Sequence, residues 1–167
     1  MMRYLLVLMA LLLTACANHT PLPERVPSLV AALPLTLQIE HTAPQQTVQQ
    51  WLLVLQREDD ALRYTLLDPL GTPLARQRLR DGSWHNDGLL PPNPRARELF
   101  GALLFALTPD AALAGSYPTG AWSRHGDGQR QLAPGWRIDY RAPLDFTLRT
   151  NDDLRYHVRP MTHQESH

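Results

Sequence analysis

Seven histidines are the first side chains to weigh, because imidazole ligates metals and titrates near neutral pH. His41, His85, His125 and His157 stand far apart with no His-x-x-x-His spacing among them, and His163 and His167 fall in a polar C-terminal stretch. No metal site is expected from such a pattern. The acid pairs Asp59-Asp60 and Asp152-Asp153 stand where turns are expected, and turn carboxylates are ordinarily solvated. Gly-x-Ser-x-Gly, P-loop and dinucleotide fingerprints do not occur, so spacing pairs no nucleophile with a base and implies no cofactor. Arg124, Arg130 and Arg137 are the remaining polar candidates. Guanidinium groups at a barrel mouth would hold an anionic headgroup by paired hydrogen bonds; the simpler reading makes all three solvated, outward strand positions.

The chain has 167 residues, enough for one domain, with 16 Arg, no Lys, and 16 acids. That balance removes the electrostatic case for nucleic-acid binding. A single cysteine excludes an internal disulfide and any zinc site of several thiolates. Its position is informative. Cys16 closes the only long apolar run, MMRYLLVLMALLLTAC, which has Arg3 near its start and small residues before the cysteine. The run reads as a secretory signal over residues 1–15, too short to span a bilayer. Leu13-Thr14-Ala15-Cys16 resembles the lipobox of bacterial lipoproteins, which implies lipidation of Cys16 and anchoring through two or three acyl chains. Ala17 follows, where an Asp would resemble the inner-membrane retention signal. The implied location is the outer membrane, with the domain facing the periplasm. Cleavage leaves 15 Arg against 16 acids, so the acyl chains must carry the anchoring.

Residues 16–33 hold Pro21, Pro23 and Pro27 and no sustained period. They read as the lipidated N-terminus and a tether, ending in a helical turn at 28–33. From Pro34 the chain alternates apolar and polar residues: Leu35, Leu37 and Ile39 mark one strand and Trp51, Leu53 and Leu55 a second, at about 47–57. Strands at 62–67, 73–79 and 83–86 follow, separated by Asp, Gly and Pro turns, the pattern of an antiparallel meander. Pro94 opens a helix over 95–107, whose Leu99, Phe100, Leu103, Leu104 and Leu107 form one apolar face. Asp110 is placed to cap a second, short helix. Strands resume at 121–125, 130–132, 136–141, 144–150 and 154–160, and residues 162–167 read as a disordered tail. The fold class is α+β: one strongly bent antiparallel sheet over 34–161, with helices inserted mid-chain to cover one face.

Three stretches taken together resemble the LolB family of outer-membrane lipoproteins: RYTLLDPLG (63–71), GWRIDYRAP (135–143) and PLDFTLRTNDDLRYHVRPM (143–161). A family of small lipoproteins that accompanies gene clusters for aryl-polyene-type lipids is more similar still. The resemblance covers about 120 residues, counted from the sequence. It implies an incomplete barrel of the LolA/LolB type, with helices over an apolar concave face, and a LolA-like periplasmic carrier as partner. It also implies that Leu70, matching a protruding leucine of that family, takes part in membrane delivery.

An acyl chain offers no hydrogen bonds, so its carrier needs a dry concave surface of large side chains. Trp51, Leu53, Leu55, Leu66, Leu99, Leu103, Trp136, Ile138, Tyr140, Phe146 and Leu148 are the candidates for that surface; the commoner reading of each is core packing, because inward strand positions are mostly packing in a small sheet domain. The expected function is a non-enzymatic lipoprotein that binds a lipid or lipidated cargo once its helices move aside. The alternative is an interaction lipoprotein with a filled core that recruits a protein partner.

Overall fold

The computed structural model describes residues 19–161. The signal segment, Cys16 and the 162–167 tail lie outside the described residues. The alternating segments form β1 (Leu35–Thr42), β2 (Gln49–Glu58), β3 (Ala61–Leu67), β4 (Pro73–Arg80) and β5 (Ser83–Asn86). After the helices come β6 (Trp122–His125), β7 (Gln129–Leu132), β8 (Trp136–Ala142), β9 (Asp145–Arg149) and β10 (Arg155–Pro160). Among the described residues they build one ten-stranded antiparallel sheet, ordered β5-β4-β3-β2-β1-β10-β9-β8-β7-β6. Each half of the chain contributes a five-strand meander, and β1 pairs with β10 to join them, Ile39 facing Val158 and His41 facing Tyr156. The outermost strands β5 and β6 do not pair with each other, so the barrel stays incomplete. Register shifts at Leu66/Leu67 and at Tyr140/Ala142 are the kind of irregularity that bends a strand.

Helix α1 (Pro94–Leu107) runs through the middle of this bent sheet. Its start follows local rules: Pro94 occupies the first turn, and the Asn93 side chain accepts from the Ala96 amide at 3.1 Å. The single apolar face expected over 95–107 is a correction, because every residue from Leu99 to Leu107 is buried. A helix apolar on all sides belongs inside a core. The sheet lies on one side, and residues 19–33 close the other.

That segment is not the tether its prolines suggest. Thr20, Pro23 and Pro27 are buried, and Leu22, Val26, Leu29 and Val30 pack on the core. Residues 28–33 form bends, not the expected helical turn. Gly101 makes the close approach possible, since a Cβ there would sit 2.9 Å from Thr20 Cγ2.

The C-terminal end of α1 is deeply buried, yet its last four carbonyls all have partners, as burial requires. Thr108 Oγ1 donates to Leu104 O (2.7 Å), the Thr108 amide to Phe105 O (3.2 Å), Tyr140 Oη to Ala106 O (2.9 Å) and the Val30 amide to Leu107 O (2.9 Å). Arg130 Nη1 adds a bond to Thr108 O at 2.8 Å and its Nη2 pairs with Asp110 at 2.8 Å. Arg130 is therefore not solvated: it is a buried cation at a helix C-terminus, where the dipole favours positive charge. Arg124 pairs with Asp110 and Asp127 at the surface, and Arg137 points outward on β8. Helix α2 (Asp110–Ser116) has Pro109, not Asp110, at its cap position; the Asp110 carboxylate is engaged by Arg130 and Arg124.

Candidate functional site

One open end of the half-barrel holds a groove. Its larger chamber has a volume of about 830 Å³, and the neighbouring chamber about 610 Å³. Ala43, Gln46, Arg95, Leu154 and Tyr156 line both, so the two are continuous. The volumes lie within the range of small-molecule sites. α1 forms the roof of the larger chamber through Asn93, Ala96 and Leu99.

Alternation along the central strands supplies the floor. His41 shares a face with Leu37 and Ile39 on β1, and Tyr156 shares one with Val158 on β10. His41 stacks on Trp51 at 4.6 Å between ring centroids and on Tyr156 at 4.8 Å, and Trp136 follows Tyr156 at 6.0 Å. Trp51, His41, Tyr156 and Trp136 thus form a continuous row of rings from one chamber to the other. Partial burial holds the His41 imidazole below the usual histidine range, against an opposing hydrogen bond with Gln49, and burial raises the Tyr156 phenol. The floor is uncharged at neutral pH.

A pH dependence follows. The unfolded imidazole takes its proton first as pH falls below about 6.5, so folding loses stability there. In the folded chain, protonation at a still lower pH puts a cation in the floor. Affinity for an apolar fluorescent probe is therefore expected to stay flat through about pH 6.5, where stability already begins to decline, and to fall several-fold only at lower pH, where the folded imidazole takes its proton. His41→Phe keeps a stacked ring and is expected to remove the drop; a drop that persists in that variant assigns the titration to another group.

The sequence-predicted surface divides. Trp51, Leu66 and Leu99 line the larger chamber and Trp136 the smaller one. Leu53, Leu55, Leu103, Ile138, Phe146 and Leu148 are fully buried in the core and line neither chamber. The physical reason is α1, which packs into the concave face and takes these positions as its own core. Tyr140 borders a separate depression and is spent on the Ala106 carbonyl. His41, Ala43, Gln46, Arg95, Leu154 and Tyr156 were not singled out from the sequence. Period-two alternation carried through the ends of β1 and β10 is the signal that finds His41 and Tyr156.

Leu70 stands beside the larger chamber, whose lining includes Asp68, Pro69 and Leu74. Its side chain is 91% exposed. The turn that displays it is well fixed: Asp68 Oδ1 accepts from the amides of Leu70 (2.9 Å) and Thr72 (2.8 Å), the Gly71 amide donates to Asp68 O (3.0 Å), and Gly71 takes φ +84°. Val48 and Leu74, also exposed, line the same chamber.

Among the described residues no group of three or more His, Cys, Asp and Glu could hold a metal, and no helix is long and apolar enough to cross a membrane. A family model described as "Protein of unknown function (DUF3261)" matches residues 35–158. No curated protein matches the chain.

Proposed function

The chain belongs to the DUF3261 family, and from that premise we propose that it is an outer-membrane-anchored lipoprotein that holds the acyl part of a lipid, or of a lipidated cargo, in its groove and assists placement in the outer membrane. The observation that carries this reading is the aromatic-floored groove of about 830 Å³ at the open end of the half-barrel. Its rings, with Leu66, Leu74, Leu99 and Leu154, offer apolar contact to a ligand that binds by burial, and Gln46, Gln49, Gln50, Asp68, Asn93 and Arg95 share the lining. The unclosed sheet around a buried helix is compatible with a LolA/LolB-like fold. Within this reading Cys16 is the acylated anchor, a LolA-like carrier is the donor, and no catalysis is involved. The groove is already open, so α1 need not move aside, in contrast to the expectation from sequence.

Native mass spectrometry of the chain from residue 17, purified without detergent, tests the proposal. Co-purified lipid, or uptake of an acylated ligand, is expected; a protein that carries none and takes up none refutes it and favours recruitment of a protein partner.

Leu70 is the delivery residue in this proposal. Leu70→Glu is expected to leave the fold intact, since the side chain touches little. Uptake should also be unchanged, while transfer of bound lipid into vesicles slows roughly tenfold, equivalent to about 1.4 kcal/mol on the transfer barrier. Equal transfer rates in the two proteins would remove Leu70 from the mechanism.

A further inference from the structure

We propose that in the absence of cargo the groove holds an acyl chain borne by this protein's own Cys16, so that the anchor is also the resting ligand. The inference rests on the acylation and lipid binding proposed above.

It starts from the path of the N-terminal segment. The segment is pinned along its length, by the Val30 amide on Leu107 O and by burial of Pro27 and Pro23. The last pinned residue is Thr20. Its amide donates to Glu98 Oε2 at 2.7 Å, its hydroxyl donates to the same oxygen, and Trp136 Nε1 donates to that hydroxyl at 2.8 Å. His19 Nδ1 lies 3.1 Å from Glu98 Oε1. Glu98 and Trp136 both line the smaller chamber. The chain is therefore held against the groove wall at the point where it runs back toward Cys16.

Four residue steps separate Thr20 from Cys16, at most about 14 Å of extended chain. An acyl chain on Cys16 thus begins close to the smaller chamber. From there the row Trp136, Tyr156, His41 and Trp51 leads into the larger one, with successive centroids 6.0, 4.8 and 4.6 Å apart. An extended methylene chain fits such a row of rings because it needs width and apolar contact, not hydrogen-bond partners. The exposed ring faces of that row are the part of the groove an acyl chain would shield from water. A ligand on so short a leash has an effective concentration of order millimolar, well above that of any free lipid monomer. Cargo then enters by displacing the protein's own chain, and release lets that chain return.

Photo-cross-linking in the full-length lipidated protein tests this. A small diazirine amino acid, close to glutamine in size, replaces Gln46, an exposed residue that lines both chambers, and the protein is reconstituted in phosphatidylethanolamine/phosphatidylglycerol vesicles. Light and heavy isotope-labelled proteins are mixed to separate intramolecular from intermolecular products. The expected result is an intramolecular cross-link to the acylated peptide that begins at Cys16, reduced when excess acylated cargo is added. Cross-links to vesicle phospholipid alone overturn self-occupancy and leave lipid binding standing. Cross-links to no lipid overturn both. Recovery of an unmodified Cys16 peptide overturns the inference at its source.

Discussion

Phe105→Ala is expected to lower the free energy of unfolding by about 3–5 kcal/mol, a large share of the ~5–15 kcal/mol typical of a domain. Phe105 is fully buried near the end of α1. Its ring meets Tyr117 edge-on at 5.1 Å between centroids, approaches Trp122 at 6.3 Å, and lies 5.8 Å from the Arg130 guanidinium carbon. Tyr117 follows α2 with its amide bonded to Leu113 O, and Trp122 and Arg130 stand on the paired strands β6 and β7, so backbone pairing limits their collapse into the space left behind. The cavity is retained and the cost lies at the upper end of the range. Urea unfolding followed by tryptophan fluorescence measures it, as a shift in midpoint at constant slope. A loss below about 1 kcal/mol would mean that the helix end is not enclosed as described.

Ala96→Trp is expected to weaken acyl-probe binding by roughly tenfold or more, equivalent to about 1.4 kcal/mol. Ala96 is buried, in the first turns of α1, and lines the roof of the larger chamber. An indole there has a chamber of about 830 Å³ to enter, so it takes the ligand's place without forcing the core apart. Gln46→Trp fills the same space from an exposed position, and weaker binding is expected there too with no change in stability. Ala102→Trp supplies the contrast: Ala102 is fully buried and lines neither chamber, so overpacking should destabilise or unfold the chain. Unchanged binding in both groove variants would place the ligand elsewhere.

The sheet was legible because its information is local. Alternation at Leu35, Leu37 and Ile39 places β1, and Asp81-Gly82 turns β4 into β5. Leu70 was legible for the same reason, since Asp68, Pro69 and Gly71 define its turn. The segment over 19–33 was not. Its hold on the domain comes from Glu98 and Trp136, which are 78 and 116 residues from Thr20, and prolines without a period carry no trace of distant partners. Arg130 misled through its charge: alternation sets it on the same face as buried Leu132, and Asp110 and carbonyls at the end of α1 satisfy it there. The expected cavity positions were real concave positions, and the error lay in volume. Sequence periodicity tells which residues face inward, whereas the space left over depends on how far α1 sinks into the sheet.

The pairing of β1 with β10 also sets a schedule. A chain synthesised amino terminus first releases β1 early, and one edge of that strand waits until residues 155–160 arrive to pair with it. Meanwhile its backbone groups are an open template for other strands. The first meander can form by local contacts, but the joint between the halves needs contacts of very long sequence separation, which form slowly. A chain stalled before its last hairpin therefore carries an unprotected sheet edge. The final strand is the one whose loss should turn this protein into an aggregate and a substrate for proteases.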